Sequence, residues 1–189
     1  GIESPLDETP ALALGSSDVN LLELANAYST VANDGKYVRR QLVTHIVDRN
    51  GKEVYTAATN EEQVIPYKSA YLMQQLLLGG THEAGGTSMS LNGYVGQFRD
   101  TDWGGKTGTS EDGVNTNKYV TSFIGTAPIS DPQVVVLIVL YNPTGQGGHQ
   151  GGGVAAPIGS QILGEVLPYL ETKKNNENEE NTKKEVSVP

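Results

Sequence analysis

"YVTSFIGTAPISDPQVVVLIVLY", residues 119–141, contains two strand-forming runs, "YVTSFIGTA" and "QVVVLIVLY", separated by "PISDP". β-Branched and aromatic residues suit a pleated surface, whereas Pro, Ser and Asp suit a turn. So short a connection predicts that the two strands pair antiparallel. The second run is apolar almost throughout, as in a strand covered on both faces. Just upstream, "WGGKTGT" (103–109) reads as a third strand.

Further out, the hydrophobic period changes from two to that of a helix. In "NLLELANAYSTVANDG" (20–35), Leu21, Leu24, Tyr28 and Val31 recur on one helical face. Asn20 with Glu23 three residues on has the form of a capping box, and Gly35 is the expected left-handed terminator. "LVTHIVDRNGKEVY" (42–55) alternates around Asn50-Gly51, which predicts a hairpin with strands at 42–48 and 52–56. "PYKSAYLMQQLLLGG" (66–80) predicts a helix opened by Pro66 and closed by Gly79-Gly80. "APIGSQILGEVLPYLE" (156–171) predicts a closing helix whose buried stripe is Ile158, Ile162, Val166, Leu167 and Leu170. Residues 1–17 read as a leading loop and 80–101 as a glycine-rich loop. Tyr28, Tyr71 and Trp103 are expected in the core. The fold class is therefore α+β, an antiparallel β-sheet packed against helices.

The 189 residues carry a net charge of −9, the length of one domain or of a large piece of a bigger one. The run "ETKKNNENEENTKKE" (171–185) has no apolar residue and contributes only −1 (five acidic against four basic residues), so it reads as a disordered linker after a folded 1–170. The acidity therefore belongs to the folded part. Without a Lys/Arg cluster, such a domain does not suit nucleic acid. The absence of cysteine excludes disulfides and thiolate chemistry. No apolar run approaches the length of a membrane span, and the opening "GIESPLDETP" does not read as a signal peptide. A chain that starts on Gly1 rather than Met is read as a fragment or processed product.

"GGKTGTSEDG" (104–113) carries the chemistry. Strand alternation puts Lys106 and Gly108 on one face, Thr107 and Thr109 on the other. Both sets reach one ligand only where the strand bends or lies at a sheet edge. An edge strand also leaves N–H and C=O groups for an extended peptide. The segment then supplies an ammonium, hydroxyls and backbone donors for a carboxylate or oxyanion. The glycines at 104, 105 and 108 are read as removing side chains that would block approach. A solvent-exposed glycine turn is the competing reading. A phosphate-binding loop is rejected because its first glycine would fall on Asp100.

K-T-G accompanies S-x-x-K and S-x-N motifs in β-lactamases and penicillin-binding proteins. "GGKTGTS" resembles the third active-site motif of the penicillin-binding protein transpeptidase domain. "SPLDETPALALGSSDVNLLELANAYSTVANDGKYV" (4–38) resembles that family's region between its second and third motifs. "TSFIGTAPISDPQVVVLIVLYNP" and "GGGVAAPIGSQIL" resemble the strands and closing helix after the third. The first forty residues are more similar to the bifunctional class A enzymes, and Thr121 to Ile162 to the monofunctional class B enzymes. "VSVP" (186–189) is similar to the start of a PASTA repeat.

The resemblance implies part of a serine β-lactamase/transpeptidase-like fold and a D,D-transpeptidase that cross-links peptidoglycan through an acyl-serine intermediate. It implies the stem peptide ending in D-Ala-D-Ala and β-lactam antibiotics as ligands, no cofactor, and cell-division or elongation proteins as partners. It places the protein at the extracytoplasmic face of the membrane, anchored by an N-terminal segment not on this chain. Lys106 would bind substrate and assist proton movement. Thr107 and Thr109 would hold the substrate carboxylate, and the Thr109 amide would form half of an oxyanion hole. Gly108 would keep the rim open. Two alternatives stay open: a non-catalytic module that holds peptidoglycan or β-lactams, and a serine β-lactamase-like hydrolase.

No serine here has a lysine three residues on, so the nucleophile and the family's second motif are expected before Gly1. Ser90-Leu91-Asn92 fits S-x-N only on paper, because it lies too close to the third motif. His45, His82 and His149 lack ligand spacing, so no metal is expected. His149, in "GQGGHQGGG", lies beside the expected cleft rim.

Overall fold

The sheet anticipated around residues 104–141 forms with strands in the order β5-β6-β7. The computed structural model describes residues 1–89, 101–115 and 117–186, with side chains through residue 174. In chain order the regular elements are α1 (Leu21–Ala32), β1 (Lys36–Val38), β2 (His45–Val47), β3 (Glu53–Thr56), β4 (Glu61–Gln63), α2 (Tyr67–His82), β5 (Gly104–Glu111), β6 (Tyr119–Ala127), β7 (Val134–Tyr141) and α3 (Gly151–Val186). They form two compact units, Gly1–Met73 and Gln74–Pro189, with the boundary inside α2.

In the first unit, α1 begins as its sequence directs. Asn20 Oδ1 accepts the Leu22 amide at 2.8 Å, satisfying one of the helix's unpaired N–H groups. The expected capping box does not close. Glu23 is buried and turns instead to Ser4, accepting its amide (3.1 Å) and its hydroxyl (2.6 Å). The Ser4 hydroxyl is the main reason its carboxyl titrates below the ordinary range. Leu21 is exposed rather than buried, and so is Tyr71, which stacks on Tyr67 at 6.4 Å. Gly35 ends α1's exit at φ 83, a conformation that costs a glycine little. The β2–β3 hairpin forms around Gly51 as predicted. A second antiparallel pair, β1 with β4, was not anticipated. It joins Lys36 to Gln63 and carries a Lys36–Glu61 ion pair at 3.3 Å.

In the second unit, α3 covers one face of the β5-β6-β7 sheet. Phe123 (β6), Val136 (β7), and Ala155, Ala156, Leu163 and Leu167 (α3) form its core with Trp103 and Ala127. Trp103 meets Phe123 edge to face at 6.4 Å, an arrangement worth roughly 0.5–1.5 kcal/mol beyond its buried area. Of the stripe expected on α3, Leu167 is buried and Val166 and Leu170 are half-buried, whereas Ile158 and Ile162 are exposed and the small Ala155 and Ala156 are buried in their place. The helix sits close over β6 at Gly159, where a Cβ would lie 2.4 Å from the Phe123 ring. β7 is half-buried along most of its length rather than covered on both faces. Helical backbone also continues through the charged run, where composition favoured a linker, to Val186. That run is rich in Glu and Lys, residues that lose little in a helix.

Candidate functional site

β5 pairs antiparallel with β6 over its whole length, Gly104 opposite Thr126 through Glu111 opposite Tyr119. Among the described residues no strand lies on its other side, so it is an edge. Lys106 is exposed, and its ammonium donates to the neighbouring Thr107 carbonyl. Thr107 and Gly108 are half-buried and Thr109 is exposed.

The strand keeps strict alternation. Thr107 and Thr109 stand opposite Phe123 and Thr121 on the α3 side. Lys106 and Gly108 stand opposite Ile124 and Ser122 on the other. What the four residues share is therefore the open edge, not a face.

The glycines that open β5 have a different task from the one expected. A Cβ at Gly104 would lie 2.8 Å from the backbone of Leu77 and Leu78 in α2. One at Gly105 would lie 2.8 Å from the Phe123 ring. These two glycines make room for the protein's own helix and core rather than for a ligand. The same end of β5 is tied to α2 by Thr81, whose buried hydroxyl bonds the Trp103 carbonyl at 2.7 Å.

At the other end the start of α3 closes on β5. The Gly151 amide donates to Thr109 Oγ1 at 3.0 Å. Beside it, the Thr121 hydroxyl donates to the His149 carbonyl at 2.6 Å, and the His149 ring stacks on Tyr119 at 3.7 Å. Sequence reasoning singled out His149 and missed Gly151 and Thr121. The only signal for Gly151 was the glycine triplet leading into a helix. Ser90 and Asn92 lie outside the described residues. Among the described residues no group of His, Asp and Glu is arranged to hold a metal, and no helix is long and apolar enough to cross a membrane.

An edge strand carrying an ammonium and two threonines, in an antiparallel sheet backed by a helix, is an α+β arrangement, and comparison with known proteins assigns it to a family. The profile of the penicillin binding protein transpeptidase domain matches residues 6–164. The chain belongs to that family. It is 33% identical over 156 residues to the probable peptidoglycan D,D-transpeptidase PenA of Neisseria flavescens, covering 80% of this chain and 35% of that protein. It is 31% identical over 194 residues to stage V sporulation protein D of Bacillus subtilis, covering 96% of this chain and 28% of that one. The apo TP domain of Burkholderia pseudomallei penicillin-binding protein 3 superposes with a TM-score of 0.61 at 29% identity, covering 79% of this chain and 42% of that one. The chain thus spans about a third or less of the length of these two curated relatives.

Proposed function

We propose that this chain is the C-terminal part of the transpeptidase domain of a peptidoglycan D,D-transpeptidase, and that β5 is the wall on which the stem peptide lies. The carrying observation is the exposed edge at Lys106 to Thr109. The peptide adds as a further strand along it, through main-chain hydrogen bonds. Lys106 binds substrate and assists proton movement at the nucleophile. Thr107 and Thr109 receive the terminal carboxylate, Gly108 keeps the rim clear, and the Thr109 amide is half of the oxyanion hole.

The ladder supports that last role. A Cβ built on Gly151 would lie 2.5 Å from Gly108 O, 2.6 Å from Ser122 O and 3.1 Å from Gly108 N. The polar backbone groups of Gly108 and Ser122 converge there, as in a pair that exchanges both ladder bonds. In an antiparallel ladder the next residue, Thr109, then turns its N–H to the open edge.

The nucleophilic serine is supplied from a part of the full-length protein beyond this chain, because no serine here carries the S-x-x-K spacing. That serine attacks the carbonyl between the two D-Ala residues and expels the terminal D-Ala; the amine of a second stem peptide then displaces the serine oxygen to form the cross-link, and β-lactams acylate the same serine by ring opening. The same reading makes 1–170 the domain portion, 171–185 a linker and 186–189 the start of a PASTA repeat. It places the enzyme at the extracytoplasmic membrane face with division or elongation proteins as partners.

The test is fluorescent-penicillin labelling of the full-length protein. Stable covalent labelling is expected. Absence of labelling would favour a non-catalytic binding module, and rapid release of label would favour a β-lactamase-like hydrolase.

A further inference from the structure

We infer that Gly151 is a positioning residue for the carboxylate subsite, because its amide occupies one acceptor position of the Thr109 hydroxyl and turns that hydroxyl's hydrogen away from α3. The inference rests on the assignment of Thr109 proposed above. A threonine hydroxyl has one hydrogen to give and two lone pairs to receive with. Left alone it rotates, and it serves an incoming ammonium as readily as a carboxylate. Here one lone pair is already engaged by the Gly151 N–H at 3.0 Å. The hydroxyl hydrogen cannot point at that amide. Among the described residues, no other hydrogen bond to the Thr109 side chain occurs. The hydroxyl therefore turns its hydrogen away from α3, and Thr109 itself is exposed.

Residue 151 is also the one place where this contact tolerates no side chain. An added Cβ would sit 2.5 Å from Gly108 O and 2.6 Å from Ser122 O. Both are backbone atoms of a paired ladder and cannot swing aside. Any larger residue must lift the start of α3 off β5 and break the bond to Thr109. Thr121 holds the preceding loop from the β6 side through the His149 carbonyl at 2.6 Å. The amide at 151 is thus held between two strands. The result is a site that favours an anionic carboxylate over a neutral ester, because the hydroxyl hydrogen makes a stronger bond to a charged acceptor than to an ester carbonyl.

The experiment measures second-order acylation of the full-length protein by benzylpenicillin and by its methyl ester. Three changes remove the contact. Gly151→Ala does so by crowding, Thr109→Val by deleting the hydroxyl, and glycolic acid in place of Gly151 by exchanging the N–H for an ester oxygen without adding a side chain. Each is expected to lower the acid-to-ester rate ratio roughly tenfold or more, the scale of one hydrogen bond to a charged group. Thr109→Ser is expected to keep the ratio. An unchanged ratio in the backbone-ester protein overturns the inference, as does an equal loss with both compounds, which would mark a purely structural role. If Gly151→Ala does not fold, the backbone-ester protein decides alone. If the unaltered protein reacts with neither compound, the transpeptidase assignment fails first; if it reacts and the ratio holds, only the role of Gly151 fails.

Discussion

β5 and β7 are the two outer strands of one sheet, each paired with β6 through eight residue pairs. Their side chains could hardly differ more. β7 reads VVVLIVLY and β5 reads GGKTGTSE. Ladder bonds are made by backbone and are available to both. Apolar burial is not, and β7 brings Val134, Val136, Ile138 and Leu140 to the core while β5 brings almost none. β5 is instead held by close approach. Its first two glycines lie against α2 and Phe123, and Thr109 is bonded by the first residue of α3. One edge contributes stability. The other is positioned by its neighbours and leaves the Lys106 and Thr109 side chains exposed.

The largest effect that could break this contrast is on the β5 side. Lys106→Ala in the full-length protein is expected to slow penicillin labelling by about a hundredfold or more, the range of a lost proton-transfer group. Its folded stability should move by no more than about 0.5 kcal/mol, because Lys106 is exposed and, among the described residues, bonds its neighbour's carbonyl alone. Labelling at the original rate would remove Lys106 from the reaction.

The reciprocal change on β7 is Val136→Ala. Two buried methyl groups at about 0.8 kcal/mol each, with a small cavity term, give a loss of about 2 kcal/mol. Chemical denaturation of the full-length protein would read it. The labelling rate per folded molecule should be unaltered. A fall in that rate with stability unchanged would mean that β7 also shapes the site.

The same contrast explains what could be read from the residues alone. β6, β7 and the hairpin β2–β3 were legible because their side-chain pattern and turn residues agree. The motif at 106–109 was legible because lysine and threonine advertise chemistry. β1 and β4 were not, since "KYV" and "EEQ" are too short and polar to signal a strand and find each other only across an intervening hairpin. Glu23 sat where a capping residue belongs, and only the fold brings Ser4 within reach of it. Near its start, burial on α3 fell to Ala155, Ala156 and Gly159, the last lying against the Phe123 ring, and not to the larger Ile158 and Ile162. Gly151 carried no side chain to announce it, and its partner is 42 positions away.

The smallest effect concerns the turns that tie each outer strand to β6. The β6–β7 turn is pinned from outside by Asp102, which accepts the Ser130 amide at 2.9 Å and its hydroxyl at 3.0 Å. The turn after β5 is pinned from within. Asp112 accepts the Asn115 side-chain amide at 2.8 Å and the Val114 amide at 3.0 Å. Those bonds, the Asn115 side chain foremost, hold its carboxyl below the ordinary 3.8. A carboxyl whose folded pKa is depressed contributes stability above its unfolded pKa and loses it as pH falls through the folded value. Asp112→Asn should therefore melt below the unaltered protein at about pH 6, and the gap should close by about pH 2. A gap of the same size at both pH values would mean that shape rather than charge holds this turn, and the β5 edge would then owe nothing to ionisation at its far end.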